Sequence, residues 1–164
     1  MKRLYVWWGK KHNRTGTVPQ AENPTGGSMD LRKCLVVDDD LLGRELITQY
    51  LQNVPVVDTA ADGQDAVGKF RTALAAGDPY ELILLDIVMP DMDGITAGKE
   101  IRKLERDMAL SVDKQVKIIM LTAQNTPQDV MQSMLAAQSS AYLIKPVAPE
   151  KVIKTIGQLG FRVP

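Results

Sequence analysis

Five polar residues stand directly after apolar runs, and their types suit one another chemically. Asp38 and Asp39 follow Cys34–Val37, Asp86 follows Tyr80–Leu85, Thr122 follows Val116–Leu121, and Lys145 follows Ala141–Ile144. Three carboxylates brought together repel one another, and one would tend to keep a proton. A hard divalent cation relieves that repulsion. Mg2+ prefers oxygen ligands, keeps several waters, and uses one or two carboxylates together with phosphate oxygens. The lysine adds a positive charge and the threonine a hydroxyl donor. Metal, ammonium and hydroxyl are the groups that hold the equatorial oxygens of a phosphoryl group in transit. The remaining role is a nucleophile, and Asp86 is placed for it, since a carboxylate attacking phosphorus forms an aspartyl-phosphate.

The elements that must position these residues are legible from period and punctuation. The four runs are short, continuous and apolar, which reads as strands covered on both faces. Val54–Thr59 reads as one more strand, with Pro55 near its start. Between the strands, apolar residues recur at helical spacing. They are Leu42, Leu46, Ile47, Tyr50 and Leu51 in the first helix, and Ala66, Val67, Phe70 and Leu74 in the second. Ile95, Ala97, Ile101, Leu104 and Met108 mark the third. Val130, Met131, Met134 and Leu135 give the inner face of the fourth, and Val152, Ile153, Ile156 and Leu159 that of the fifth. Thr126-Pro127 reads as an N-cap and a proline in the first helical position.

Strand and helix alternate five times, which implies a parallel sheet with right-handed crossovers. The fold class is α/β, a doubly wound five-stranded parallel sheet with helices on both faces; a (β/α)8 barrel needs ~200 residues or more. In the flavodoxin-like strand order 2-1-3-4-5, strands one and three adjoin where the order reverses, and ligands bind there. Asp38 and Asp39 would then face Asp86 across roughly 5 Å, one inter-strand spacing.

Composition excludes several other chemistries. The chain has 164 residues, 45% of them hydrophobic, enough for one packed domain. A single cysteine, Cys34, excludes a disulfide framework and a four-thiolate zinc site. A single histidine, His12, excludes a centre built on several imidazoles. No stretch approaches the ~20 apolar residues of a membrane span. The formal charge is zero, but residues 1–28 carry five basic side chains against Glu22, and the rest of the chain carries the balancing acidic excess. Gly, Pro, Thr, Asn and Gln dominate from Asn13 to Ser28. Residues 1–29 therefore read as a basic, disordered tail, and 30–164 as the folded domain.

Four blocks in order carry a family resemblance: Val36-Val37-Asp38-Asp39-Asp40, Leu84 to Gly94, Leu121-Thr122-Ala123, and Ala141 to Pro146. Over residues 31–160 the chain resembles the receiver domain of two-component response regulators, a family with the 2-1-3-4-5 strand order. The resemblance implies that Asp86 is the phosphoacceptor and that Asp39 ligates Mg2+ directly. Asp38 would hold metal-bound water, and the backbone carbonyl of Val88 would complete the protein's share of the metal shell. Thr122 would be the switch hydroxyl, Lys145 its ion-pair partner, and Tyr142 the switch aromatic. It also implies a cis bond between Lys145 and Pro146.

The expected function is a phosphorelay signalling module that is not an enzyme beyond its own phosphorylation and dephosphorylation. A histidine kinase or phosphotransfer protein would donate. Output would pass to a partner protein through the face of helix four, strand five and helix five. The chain ends at Pro164, so no DNA-binding output domain is expected. The expected location is the cytoplasm. Two alternatives use the same residues. One is a pseudo-receiver that binds partners without chemistry. The other is an aspartyl-nucleophile phosphatase, which needs a second Asp where this chain has Val88. Asp40, Asp91 and Asp93 read as caps and turn formers rather than metal ligands.

Overall fold

The structure, a computed structural model, describes residues 27–123 and 126–164. The expected tail falls mostly on residues 1–26, which lie outside the described residues. The strands are β1 (Met29–Asp30), β2 (Lys33–Val37), β3 (Val56–Ala60), β4 (Leu82–Asp86), β5 (Lys117–Thr122), β6 (Ala141–Ile144) and β7 (Phe161–Arg162). The helices are α1 (Leu41–Tyr50), α2 (Gly63–Ala75), α3 (Gly94–Asp107), α4 (Pro127–Ala137) and α5 (Pro149–Gln158). A 3-10 turn, Val112–Lys114, lies in the polar connection before β5.

Five strands form one parallel sheet in the order β3-β2-β4-β5-β6. Numbered by themselves, they run 2-1-3-4-5, the order that the family resemblance implies. The sheet has a core on each face because successive side chains point oppositely. Leu35, Val37, Ile83, Leu85, Ile118 and Met120 join Phe70 of α2 and Ile101 of α3 in one cluster. Cys34, Val36, Leu82, Leu84, Ile119 and Leu121 join Ile47 of α1 and Ile156 of α5 in the other. A strand buried on both sides has no polar face, which is why these strands are unbroken apolar blocks. β3 is an edge strand and starts at Val56, while Val54 is buried in the turn before it.

Several helix faces are turned relative to the apolar pattern. In α3 the buried residues are Gly94, Ala97, Gly98, Ile101, Arg102 and Glu105, and Met108, at the helix's C-terminal cap, is exposed. In α4 Met131 and Leu135, expected inward, are 63% and 73% exposed. The helix packs instead through Val130, Ser133 and Ala137. At the sheet margin a narrow stripe suffices, and the small Ala137 permits close approach to α3. Leu42 and Leu46 of α1 and Ile153 of α5 are exposed as well.

One small feature has no counterpart in the sequence reading. β1 and β7 pair in parallel, Met29 with Phe161 and Asp30 with Arg162. Arg162 Nε donates to Asp30 Oδ1 at 2.6 Å, and Phe161 is buried against the α1–α5 core.

Candidate phosphoacceptor and metal site

Strand register assembles the site. Val37 of β2 pairs with Leu85 of β4, so Asp38 and Asp86 leave the sheet side by side. Leu121 of β5 pairs with Asp86, and Thr122 with Ile144 of β6. Lys145 then follows beside Thr122, its backbone N–H donating to the Thr122 carbonyl at 2.7 Å. Asp38, Asp86 and Thr122 are buried, and Asp39 is exposed.

The side chains meet at close range. One carboxylate oxygen from each of Asp38, Asp39 and Asp86 lies within 4.8 Å of the others. Lys145 Nζ donates to Asp86 Oδ2 at 2.9 Å and stands 2.7 Å from Asp38 Oδ2. That Asp38 oxygen is buried and receives no well-aligned hydrogen bond, so the ammonium meets it as a charge. The Val88 N–H reaches Asp86 Oδ1 at 3.4 Å.

Burial raises the Asp86 carboxyl above its ordinary range, and Asp38 adds to the rise, while Lys145 and the Val88 amide offset part of it. For Lys145 burial acts downward, but its contacts with Asp38 and Asp86 outweigh it and hold the ammonium above its ordinary value. The cluster therefore has more acid than one lysine neutralises. Its side-chain ligands, Asp38, Asp39 and Asp86, are all carboxylates, the donor type of a hard ion. One oxygen from each of the three acids is near enough to the others for the group to converge on one such ion. Asp38 Oδ2, ion-paired to Lys145 but without a hydrogen bond, is an atom such an ion or its water would satisfy.

Of the remaining expected site residues, Tyr142 on β6 pairs with Met120 of β5, two places short of Thr122, and is 42% exposed. The side chain of Val88 is exposed beside the acids. Asp40 caps α1 by accepting from the Gly43 N–H, and Asp93 caps α3 by accepting from Thr96 N–H. Asp91 takes φ 64 in the loop between β4 and α3. The bond Lys145–Pro146 is cis. A cleft of about 380 Å3 opens beside Asp38 and Lys145, walled by Leu46, Ile47, Pro146 and Val147. Cys34 lies buried in β2, and its thiol is pushed up to about 12, chiefly by desolvation, which makes it inert.

Gly94 is a positioning residue that residue chemistry alone did not single out. It donates its N–H to the Ile87 carbonyl at 2.9 Å, and a Cβ there would stand 2.1 Å from the Asp86 carbonyl oxygen. The first turn of α3 thus lies against the backbone of Asp86. Gly94→Ala must push that backbone aside. It should cost about 2–3 kcal/mol in chemical denaturation and slow phosphorylation of Asp86 at least about tenfold. An unchanged rate would show that the contact does not position the carboxylate.

This arrangement agrees with the comparisons. The profile of the "Response regulator receiver domain" family matches residues 34–157. The chain belongs to that family. The Treponema pallidum "Chemotaxis protein CheY" is 33% identical over 144 residues, which cover 87% of this chain and 90% of that protein. Among solved structures, a chain of the CheX–CheY–BeF3–Mg2+ complex from Borrelia burgdorferi is 29% identical with TM-score 0.66, covering 78% of this chain and 88% of that one. A chain of the complex between Saccharomyces cerevisiae Ypd1, a histidine phosphotransfer protein, and the Ssk1 receiver domain is 26% identical with TM-score 0.68. It covers 80% of this chain and 90% of that one. Receiver domains are signalling modules of two-component systems, and this receiver domain has the phosphoacceptor signalling role of its family. Among the described residues no helix is long and apolar enough to cross a membrane.

Proposed function

We propose that Asp86 is the residue phosphorylated in this receiver domain, and that the modification switches partner binding. The observation that carries the proposal is the convergence of Lys145 Nζ and three carboxylates on one sheet edge, with Asp86 buried at its centre. A carboxylate oxygen of Asp86 forms a bond to phosphorus. The bond from phosphorus to the donor's imidazole nitrogen breaks, and that nitrogen keeps the electron pair. Mg2+, when bound, supplies positive charge to the transferring oxygens. Asp39 would hold it directly, Asp38 through water, and Val88 through its carbonyl. Lys145 exchanges Asp86 Oδ2 for a phosphoryl oxygen, and the Thr122 hydroxyl donates to another.

The donor is a histidine kinase or a phosphotransfer protein, the class to which Ypd1 belongs. Output uses the face of α4, β6 and α5, where Met131, Leu135, Tyr142, Ile144 and Ile153 are exposed apolar residues. Scattered exposed leucines are ordinary, but a patch contributed by three adjoining elements marks an interaction surface. Beyond self-phosphorylation and its reversal the domain needs no enzymatic activity. The reading places it in the cytoplasm.

Incubation with acetyl phosphate and Mg2+ should add the mass of one HPO3, about 80 Da, to the intact protein, with no gain in EDTA. Absence of the gain would remove the proposal. Residues 1–28 act as a tail, and the receiver domain begins at Met29, one residue before the expected boundary, because β1 pairs Met29 with Phe161. Deleting residues 1–28 should therefore move the melting temperature by less than about 2 °C. A large drop in calorimetry would show that the tail packs on the domain.

A further inference from the structure

Asp39 differs from the other acids of the cluster. The Asp38 carboxylate is held through both oxygens, since Oδ1 accepts the Asp40 N–H at 3.0 Å and Oδ2 stands 2.7 Å from Lys145 Nζ. The Asp86 carboxylate is held by Lys145 and by the Val88 N–H. Asp39 is exposed, and among the described residues its carboxylate makes no hydrogen bond or ion pair. It nevertheless lies within 4.8 Å of an oxygen from each of the other two. Its place is therefore set by the main chain that carries it.

That main chain is stapled by one residue of α1. Arg44 Nη1 donates to the Asp38 carbonyl at 2.5 Å, and the Arg44 N–H donates to the Asp40 carbonyl at 3.0 Å. The carbonyls of both residues flanking Asp39 thus end on Arg44. The backbone bond is the closure of the first helical turn, which any residue but proline makes. The side-chain bond is different, because it needs a donor on a stem long enough to reach from α1 back to the end of β2. The turn is also tied on either side, by the Asp38 N–H to the Ala60 carbonyl at 3.2 Å and the Gly43 N–H to Asp40 Oδ2 at 2.9 Å. Arg44 is half-buried and forms no ion pair among the described residues. A guanidinium beside carboxylates ordinarily pairs with one of them. This one grips a main-chain oxygen instead, which leaves the Asp39 carboxylate available to another cation.

We propose that Arg44 is a positioning residue of the metal site: its grip on the Asp38 carbonyl fixes the peptide that joins Asp38 to Asp39, and so keeps the Asp39 carboxylate beside Asp38 and Asp86. The inference rests on the reading of Asp39 as a Mg2+ ligand. Geometry and charge make opposite demands here. Removing a positive group near the acids would by itself tighten a cation, whereas loosening the turn that carries Asp39 would weaken it. The direction of the change in Mg2+ affinity therefore separates a positioning role from a purely electrostatic one.

Arg44→Met tests this, because methionine is close to arginine in helix propensity and keeps the backbone bond to Asp40. The rise in melting temperature of the full chain across a Mg2+ titration gives the dissociation constant. In Arg44→Met that constant should be raised about tenfold, the effect of removing a group that orients a metal ligand. The Mg2+ concentration for half-maximal labelling by acetyl phosphate should rise by the same factor, while labelling at saturating Mg2+ should recover to within about threefold of the unaltered chain. A merely structural role would lower the melting temperature in EDTA and leave the dissociation constant as it was. Arg44→Lys keeps the charge on a shorter stem without the planar fork, and it should weaken Mg2+ by at least about threefold. An unchanged or tightened constant in Arg44→Met overturns the proposal, and should that variant not fold, the same result in Arg44→Lys does so. If the melting temperature of the unaltered chain ignores Mg2+, the metal reading fails and this inference with it. Equal responses of the unaltered chain and Arg44→Met sink the inference alone.

Discussion

Asp86→Asn stays folded and takes up no phosphoryl group from acetyl phosphate. The amide keeps the shape of the carboxyl and an oxygen for Lys145 Nζ, now 2.9 Å away. It has no negative oxygen to attack phosphorus. Intact mass should show labelling at least about a hundredfold below that of the unaltered chain. The same substitution should stabilise the metal-free protein. Burial raises the Asp86 carboxyl, with Asp38 adding to the effect. A carboxyl raised by folding contributes its full share of stability below the unfolded value of about 4 and loses it as pH climbs through the folded value. At pH 7 in EDTA the ionised group therefore works against the fold. Asp86→Asn should melt roughly 3–6 °C higher there, and the difference should fade below pH 4. Added Mg2+ should stabilise the unaltered chain and close the gap. Undiminished labelling of the variant would move the phosphoacceptor role to another carboxylate, and a lower melting temperature in EDTA would contradict the electrostatics.

Glu105→Ala is expected to be the most damaging single change to stability. It leaves the Arg102 guanidinium buried without its anion and removes the acceptor of the Val116 N–H. Breaking one half of a buried pair typically costs about 3–5 kcal/mol. For a domain of this size that is roughly 10–15 °C in melting temperature. Glu105→Gln retains an oxygen for the Val116 N–H and should lose less. Arg32→Ala removes an ion pair of similar geometry with Glu81, but Arg32 has 77% of its side chain exposed. Its expected cost is under about 1 kcal/mol. Urea denaturation of the three variants measures the order directly. Glu105→Ala within 1 kcal/mol of the parent, on the order of the surface pair, would show that the buried network contributes little.

The same pair explains where the sequence could be read and where it could not. The sheet was legible because strands buried on both faces leave unbroken apolar blocks, as in Leu82–Leu85 and Ile118–Leu121. The acids and Lys145 were legible because each stands at a strand's end and parallel strands share one edge. The inner face of α3 was not, because Arg102 and Glu105 look like solvated residues until a neighbouring backbone supplies their partners. Leucine and methionine misled in the opposite sense. Leu42, Met131 and Leu135 fit a helical period yet lie outside the core. Apolar spacing marks two candidate faces when a helix covers a sheet and also meets a partner. Gly94 stood in plain view, but its role depends on how closely two backbones approach, which no residue type records. The pairing of Met29–Asp30 with Phe161–Arg162 was hidden for a similar reason, since two residues carry no period.

That pairing ties β1 to β7 at the pole of the sheet from which the strands begin, while the acids crown the opposite pole. A fluorophore, an affinity handle or an entire fused protein joined before Met29 or after Pro164 would hang from that far side. The acidic cluster would stay open to a docking partner whichever end bore the cargo.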